Sequence, residues 1–168
     1  MCKIYLCLII LFASLDANET LYGIKGGFLA HSTGPVSSGR ESGTDIHAEL
    51  LFKEKFLSAY PSIGVDINLQ GGTSFLYTGL SWEDKFFKHI HLGAFFGFAI
   101  HNGELDINNS QYRQFGTRFL FREALDIGVY LKKDLSLSLM YDHYSNAGLD
   151  GQRNQGNDNI GLRFSYFF

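Results

Sequence analysis

The sequence predicts an all-β fold, an eight-stranded antiparallel transmembrane β-barrel of the bacterial outer membrane. Beyond residue 20, apolar and polar residues alternate with a period of two in segment after segment, and no stretch keeps the 3.6-residue period of a helix. Aromatic residues make up 15% of the chain and charged residues only 18%, which argues against disorder and against a helical bundle. The chain also closes on Tyr166, Phe167 and Phe168, an aromatic ending that is common in outer-membrane barrels.

Residues 1–17 are predicted to be a secretory signal that precedes a barrel domain of residues 18–168. Lys3 is followed by an apolar run and then by small residues, and the run is shorter than the roughly 20 residues of a membrane-spanning helix. Both cysteines, Cys2 and Cys7, lie in this segment, so we expect neither a disulfide nor a cysteine-based metal site in the mature chain. A net charge of -3 gives no electrostatic reason to expect nucleic-acid binding.

The alternation predicts where the strands and their connections lie. Strands are expected at 21–32, 45–56, 61–71, 74–86, 89–102, 115–131, 135–146 and 158–168. Long polar connections at 33–44, 102–114 and 147–157 alternate with short ones at 57–60, near Lys88 and at 132–134, as in bacterial barrels with long extracellular loops. A soluble barrel with its apolar faces turned inward has the same pattern, but the long strands favour a tilted bilayer crossing. Side chains fill a barrel of this size, so we expect its function on the outer wall or in the loops.

The seventh predicted strand places an imidazole and a hydroxyl on the same face as its leucines. By parity, His143 and Ser145 point toward lipid, near the outer leaflet because odd strands run outward from the periplasm. Asp158 of the eighth strand has the same orientation, and we expect it to pair with Ser145 across the hairpin. A serine, a base and an acid together suit acyl transfer. Taken alone, His143 and Ser145 also fit an interfacial polar pair at the headgroup level.

A second acid, Glu123 of the sixth strand, also faces lipid. If the turn at 132–134 pairs Leu131 with Leu135, Glu123 lies directly opposite His143, and any register slip that preserves the face keeps it close. Its role is open between holding the His143 ring, binding the substrate's head group and serving as an interfacial charge. We rank Asp158 above it as the acid that orients the imidazole.

Residues 143–148 (His-Tyr-Ser-Asn-Ala-Gly), residues 154–158 (Asn-Gln-Gly-Asn-Asp) and the terminal aromatic strand resemble the lipid A 3-O-deacylase family of PagL-type acyloxyacyl hydrolases. The resemblance implies an outer-membrane esterase that removes the ester-linked 3-hydroxyacyl chain at the 3-position of lipid A. It implies His143 as the catalytic histidine, Ser145 as the nucleophile, and Asn146 with the Gly148 amide as donors to the oxyanion.

The third catalytic position departs from the family's pattern. The family typically has a glutamate there, whereas Asp158 occupies the matching place after a loop that is one residue longer. Phe121 and Glu123 resemble a Phe-x-acid pair on the neighbouring strand, which supports the site. The choice between Asp158 and Glu123 as the third catalytic residue therefore stays open at this point.

The implied partners are lipid A of lipopolysaccharide and the surrounding outer-membrane lipids, and homodimer formation is left open. The ester chemistry requires neither a metal nor a cofactor, and we recognise no metal-ligand motif among His31, His47, His89, His91 and His101. Two other functions fit the same pattern. One is a non-enzymatic barrel that serves as an adhesin or structural anchor through its 33–44 and 102–114 loops, and the other is a soluble lipid-binding barrel of lipocalin type.

Overall fold

The structure, a computed structural model, describes residues 17–36, 39–105, 112–149 and 155–168. A short helix, α1 (Ala17–Thr20), leads into a closed barrel in which every strand pairs antiparallel with its sequence neighbours and β1 pairs with β8. The strands are β1 (Leu21–Ala30), β2 (Thr44–Phe52), β3 (Tyr60–Asn68), β4 (Phe75–Phe86), β5 (Ile90–His101), β6 (Phe119–Tyr130), β7 (Leu135–Ser145) and β8 (Asn157–Phe167). The predicted eight-stranded barrel is confirmed. The predicted signal segment lies outside the described residues except for Ala17 and stays a prediction.

The outer wall of the barrel is apolar. Phe28, Leu125 and Leu162 point outward and are 63%, 62% and 56% exposed, whereas Arg122 and Arg163 point inward and are buried. A water-soluble barrel has the opposite arrangement, because its apolar side chains fill the interior. The outward apolar face is the arrangement of a transmembrane barrel and excludes the lipocalin-type alternative. Among the described residues, no helix is long and apolar enough to cross a membrane.

Ion pairs and stacked rings fill the interior. Lys25 bridges Glu49 and Glu83, with its Nζ 3.5 Å from a Glu49 carboxylate oxygen. The Arg122 guanidinium lies over the Tyr77 ring at 3.9 Å from its centroid, and its Nη2 donates to Asp142 at 3.2 Å. Buried charges of this kind are tolerated when they are paired, and cation–π contacts add to the pairing. The packed interior agrees with the expectation that the barrel wall and loops carry the function.

The two ends of the barrel differ. At one end the connections are tight: Phe56 and Ala59 bond to each other across a two-residue turn in which Leu57 and Ser58 have φ of 51° and 62°. Left-handed residues at both central positions make this a type I′ turn, which matches the twist of the adjoining strands. The opposite end carries the long connections that follow β1, β5 and β7, and we assign it to the extracellular side.

Strand β6 begins at Phe119 rather than at residue 115 as predicted. Phe115 is fully buried in the mouth of the barrel, where its ring lies 4.4 Å from that of His101 and edge-on to Phe75. Gly116 then has φ of 74°, a left-handed conformation that interrupts a strand. The loop segment around Phe115 therefore forms a plug in the extracellular mouth of the barrel.

Candidate active site

The barrel register brings three predicted site residues into one row on the outer wall. His143 of β7 pairs with Glu123 of β6 on one side and with Asp158 of β8 on the other. The predicted pairing of Glu123 with His143 is confirmed. The predicted pairing of Ser145 with Asp158 is wrong by two residues, because Asp158 lies opposite His143 instead. A register shift of two residues keeps each side chain on the same face of the sheet. Asp158 therefore stays on the outer wall and lies closer to the His143 imidazole than predicted.

His143 and Asp158 form a direct hydrogen bond. The Nδ1 of His143 lies 2.5 Å from Oδ1 of Asp158, and the carboxylate is completely buried while 19% of the imidazole side chain is exposed. In the neutral ring, an Nδ1–H that donates to the carboxylate leaves the Nε2 lone pair free to accept a proton. A neutral His143 that bonds to Asp158 in this way has the tautomer that a general base requires, with the Nε2 edge of its ring facing away from the acid.

Ser145 ends strand β7 two residues after His143, opposite Phe121 of β6. It is 7% exposed, and the described residues include no hydrogen bond between its hydroxyl and the His143 ring. Such bonds are often long or poorly aligned without substrate and tighten only when substrate binds. Gly156, at φ of 53°, lies against the ring edge: a Cβ there would stand 3.0 Å from Cε1 of His143. Glycine at this position leaves that edge of the imidazole unobstructed.

The turn after Ser145 is held by its own hydrogen bonds. Asn146 Oδ1 accepts from the Gly148 amide at 2.7 Å, and Asn146 Nδ2 donates to the Phe115 carbonyl at 2.9 Å. Ala147 and Gly148 have φ of 53° and 72°, and the Leu149 amide donates to the Asn146 carbonyl, which closes a type I′ turn. The two groups expected to bind an oxyanion are thus bonded to each other. The side chain of Asn146 ties this turn to the plug that contains Phe115.

A cavity of about 200 Å³ opens on the outer wall beside the imidazole. Its lining is Val36, Glu123, Ala124, Leu125, Tyr141 and His143. A larger cavity of about 800 Å³ shares Leu125 and Tyr141 with the first and continues along the apolar wall past Ile127 and Leu139. Phe121 stacks on Phe96 of the neighbouring strand, contacts the tilted ring of Phe98, and extends the apolar wall on the β5 side. The exposed Glu123 is thus a charge at the edge of an apolar surface.

The extracellular loops carry a buried charged cluster near the site. Burial lowers the pKa of His31, but hydrogen bonds to Asp45 and Glu41 outweigh it and raise the pKa to about 9. Burial likewise raises the pKa of Glu41, but its hydrogen bonds to His31 and to the amides of Thr73 and Arg113 lower it to about 2. At neutral pH both groups are therefore charged and paired, and they join the connections that follow β1, β3 and β5. Within the described part of the chain, no group of His, Cys, Asp and Glu residues is arranged to hold a metal ion.

Sequence reasoning missed the part of the β1–β2 connection that reaches the site. The Val36 amide donates to Oδ2 of Asp158 at 2.7 Å, and Gly34 packs directly against the Asp158 side chain. Neither residue belongs to a motif. Their contacts join positions more than a hundred residues apart, so no local pattern signals them.

Comparison with known proteins agrees with this geometry. The family model described as lipid A 3-O-deacylase (PagL) matches residues 41–167. A crystal structure of the outer membrane enzyme PagL is 18% identical with a TM-score of 0.63, over 87% of this chain and 99% of that one. The N-terminal β-barrel domain of Pseudomonas aeruginosa OprF is 9% identical with a TM-score of 0.56, over 89% of this chain and 99% of that one. A de novo designed transmembrane β-barrel has the same identity and TM-score over 88% of this chain and 97% of its own. At these identities the structures show the shared fold alone, and no curated protein matches by sequence.

Proposed function

The chain belongs to the lipid A 3-O-deacylase family, and from that premise we propose that Ser145, His143 and Asp158 carry out the hydrolysis. The protein is an outer-membrane β-barrel and an ester hydrolase whose substrate is lipid A. Family membership also favours the enzyme over the adhesin or anchor alternative. What the family assignment leaves open is which side chains of this chain act, and their geometry supports a specific answer.

The proposed first step is the attack of Ser145 on the ester that links the 3-hydroxyacyl chain to lipid A. The Nε2 of His143 takes the hydroxyl proton as Ser145 Oγ bonds to the acyl carbon, and Asp158 stabilises the imidazolium that forms. Collapse of the tetrahedral intermediate breaks the bond to the sugar oxygen, which receives the proton from His143. Water activated by the same imidazole then releases the fatty acid from Ser145, and the enzyme is regenerated.

The observation that carries this proposal is the 2.5 Å contact between His143 and Asp158 on the outer wall of the barrel. A carboxylate bonded to an imidazole is costly at a lipid-facing surface, so its presence there calls for a task at that surface. Lipid A lies in the outer leaflet and reaches this wall by lateral diffusion through the surrounding lipids. The cavity beside His143 and the apolar groove that follows it toward Leu139 offer a path for the acyl chain.

The proposed oxyanion donors need a local rearrangement. The Gly148 amide is bonded to Asn146 Oδ1, so an oxyanion must displace that oxygen before the amide can serve it. Asn146 then contributes chiefly by holding the turn that carries Ser145, through its bond to the Phe115 carbonyl. This division gives Gly148 the electrostatic role and Asn146 the positioning role.

We assign Glu123 to substrate positioning rather than to the third catalytic place. It lies opposite His143 in the register, yet the described residues show no hydrogen bond between the two side chains. It lines the cavity beside His143, where we expect the polar part of lipid A to meet the wall. The His143 Nδ1 already donates to Asp158, which leaves Glu123 free to contact the substrate.

Mass spectrometry of lipid A from cells that express the wild type or Ser145→Ala tests the proposal. We expect the 3-hydroxyacyl chain to be lost only with the wild type, at equal amounts of folded protein in the outer membrane. Thr78→Ala, on the exposed wall away from the site, is the matched control, and we expect it to retain the activity. Deacylation by Ser145→Ala at the wild-type rate would contradict the assignment of the nucleophile.

A further inference from the structure

Asp158 combines an outward position with complete burial. Its strand partner His143 is on the lipid-facing wall, yet Asp158 is 0% exposed. The strands alone do not bury a residue on that wall, as the exposed Leu162 of the same strand shows. A segment from outside the sheet must therefore cover the acid.

The covering segment is Ser32–Val36, which follows β1, and we refer to it as the β1–β2 clamp. The Thr33 amide donates to the Asp158 carbonyl at 3.0 Å, and the Val36 amide donates to Asp158 Oδ2 at 2.7 Å. Between them, Gly34 lies so close that a Cβ would stand 2.2 Å from the Asp158 Cβ. Only glycine fits there, because a real Cβ atom cannot approach to that distance.

The clamp is anchored at its first residue. Ser32 has φ of 58°, a left-handed conformation that a residue with a side chain adopts only when its surroundings hold it. Its amide donates to Asn159 Oδ1 at 3.0 Å, and its hydroxyl oxygen accepts from Nε and Nη2 of Arg113 at 3.1 and 2.5 Å. Arg113 in turn donates to the Gln155 carbonyl, so the connections after β5 and β7 both hold the clamp.

We propose that the β1–β2 clamp positions the catalytic acid, Asp158, through the hydrogen bond that the Val36 amide donates to its carboxylate. Oδ1 of Asp158 accepts from His143 Nδ1, Oδ2 accepts from the Val36 amide, and the Tyr141 side chain also hydrogen-bonds to the carboxylate. A fixed carboxylate directs the imidazole, and a covering that excludes water strengthens the attraction between the acid and the imidazolium. This inference rests on the proposed function, because it assumes that Asp158 is the acid of the site.

The test is a double-mutant cycle on purified protein in detergent micelles with lipid A as substrate. Val36→Pro removes the amide donor, whereas Val36→Ala shortens the side chain and keeps the donor. Gly34→Ala displaces the clamp without touching Val36, and Gly26→Ala is its matched control, because a Cβ there meets only the His47 carbonyl oxygen at 3.7 Å. Each change is also made in an Asp158→Ala background, and circular dichroism and thermal unfolding verify that each variant is folded.

We expect Val36→Pro and Gly34→Ala to lower kcat by about tenfold or more relative to Val36→Ala and Gly26→Ala, with KM changed less than about twofold. In the Asp158→Ala background the same changes should alter kcat by less than about twofold, because the group that they position is gone. Equal kcat for Val36→Pro and Val36→Ala would overturn the inference, as would a loss that persists undiminished without Asp158. If Asp158→Ala itself matches the wild type, the proposed function fails, which is a different result from either of these.

Discussion

Replacement of Asp158 by asparagine separates the charge of the acid from its shape. The two side chains are nearly isosteric, so the buried space beneath the β1–β2 clamp stays filled. The amide carries no charge to stabilise the imidazolium of His143, and its NH₂ group cannot accept a hydrogen bond from Nδ1. Asp158→Asn therefore removes the interaction that we consider catalytic while leaving the barrel intact.

The size of the loss follows from the geometry. With Oδ1 of Asp158 2.5 Å from Nδ1 of His143, the centres of charge are about 4 Å apart, and at an effective dielectric constant of about 20 their attraction is about 4 kcal/mol. That energy corresponds to a factor of about 10³ in rate. The equivalent replacement in a serine protease triad costs about 10⁴, because the imidazole also adopts the wrong tautomer. We therefore expect kcat to fall by about 10³ to 10⁴.

The assay measures release of the 3-hydroxy fatty acid by mass spectrometry, with purified protein at saturating lipid A. Glu123→Gln is the matched control, since it makes the same change of carboxylate to amide on the other neighbour of His143. We expect the control to lose less than about tenfold in kcat and to act mainly on KM. A loss of less than tenfold for Asp158→Asn, or an equal loss for the two variants, would refute the assignment of Asp158 as the acid.

Three further predictions address the nucleophile, the loops and the wall. Ser145→Ala should reduce kcat by about 10⁴ or more in the same assay, and residual turnover near the wild-type value would rule out a serine nucleophile. Because the pKa of His31 is raised from 6.5 to about 9, its stabilisation of the loops is full below pH 6.5 and is lost as the pH rises toward 9. The pKa of Glu41 is lowered from 4.5 to about 2, so its contribution to loop stability is full above pH 4.5 and is lost as the pH falls toward 2. Limited proteolysis at a series of pH values should find the loops most resistant between about pH 4.5 and 6.5. His31→Gln should remove the loss of resistance at alkaline pH. Resistance that does not change with pH would contradict the pairing of His31 with Glu41. Leu162→Arg should destabilise the barrel in bilayers by about 2–4 kcal/mol in urea unfolding, whereas Leu57→Arg in the turn should cost about 0–1 kcal/mol; equal effects would argue against a lipid-facing wall.

The parts of the molecule that obey a period of two could be predicted from sequence, and the parts that depend on long loops could not. Parity alone puts His143 and Ser145 on the outer wall, and the short turn at 132–134 sets Glu123 opposite His143. The connection between Ser145 and Asp158 is long, so no turn geometry specifies its register, and only the face was predicted correctly. Phe115 continues the alternation of a strand in the sequence but plugs the barrel mouth, since apolar residues in a plug and in a strand look alike.

The distribution of charge explains why the site and its support lie where they do. Among the described residues, paired side chains such as Arg122 and Asp142 lie in the barrel interior, as expected for an eight-stranded barrel, so we expect the site on the outer wall. A flat wall in lipid gives a carboxylate no cover and no backbone amide donor. The β1–β2 clamp supplies both through Gly34 and Val36, and Arg113 anchors the clamp to the rest of the extracellular end. A change in these loops should therefore alter the ester chemistry, even though the nucleophile and the base are carried by a strand.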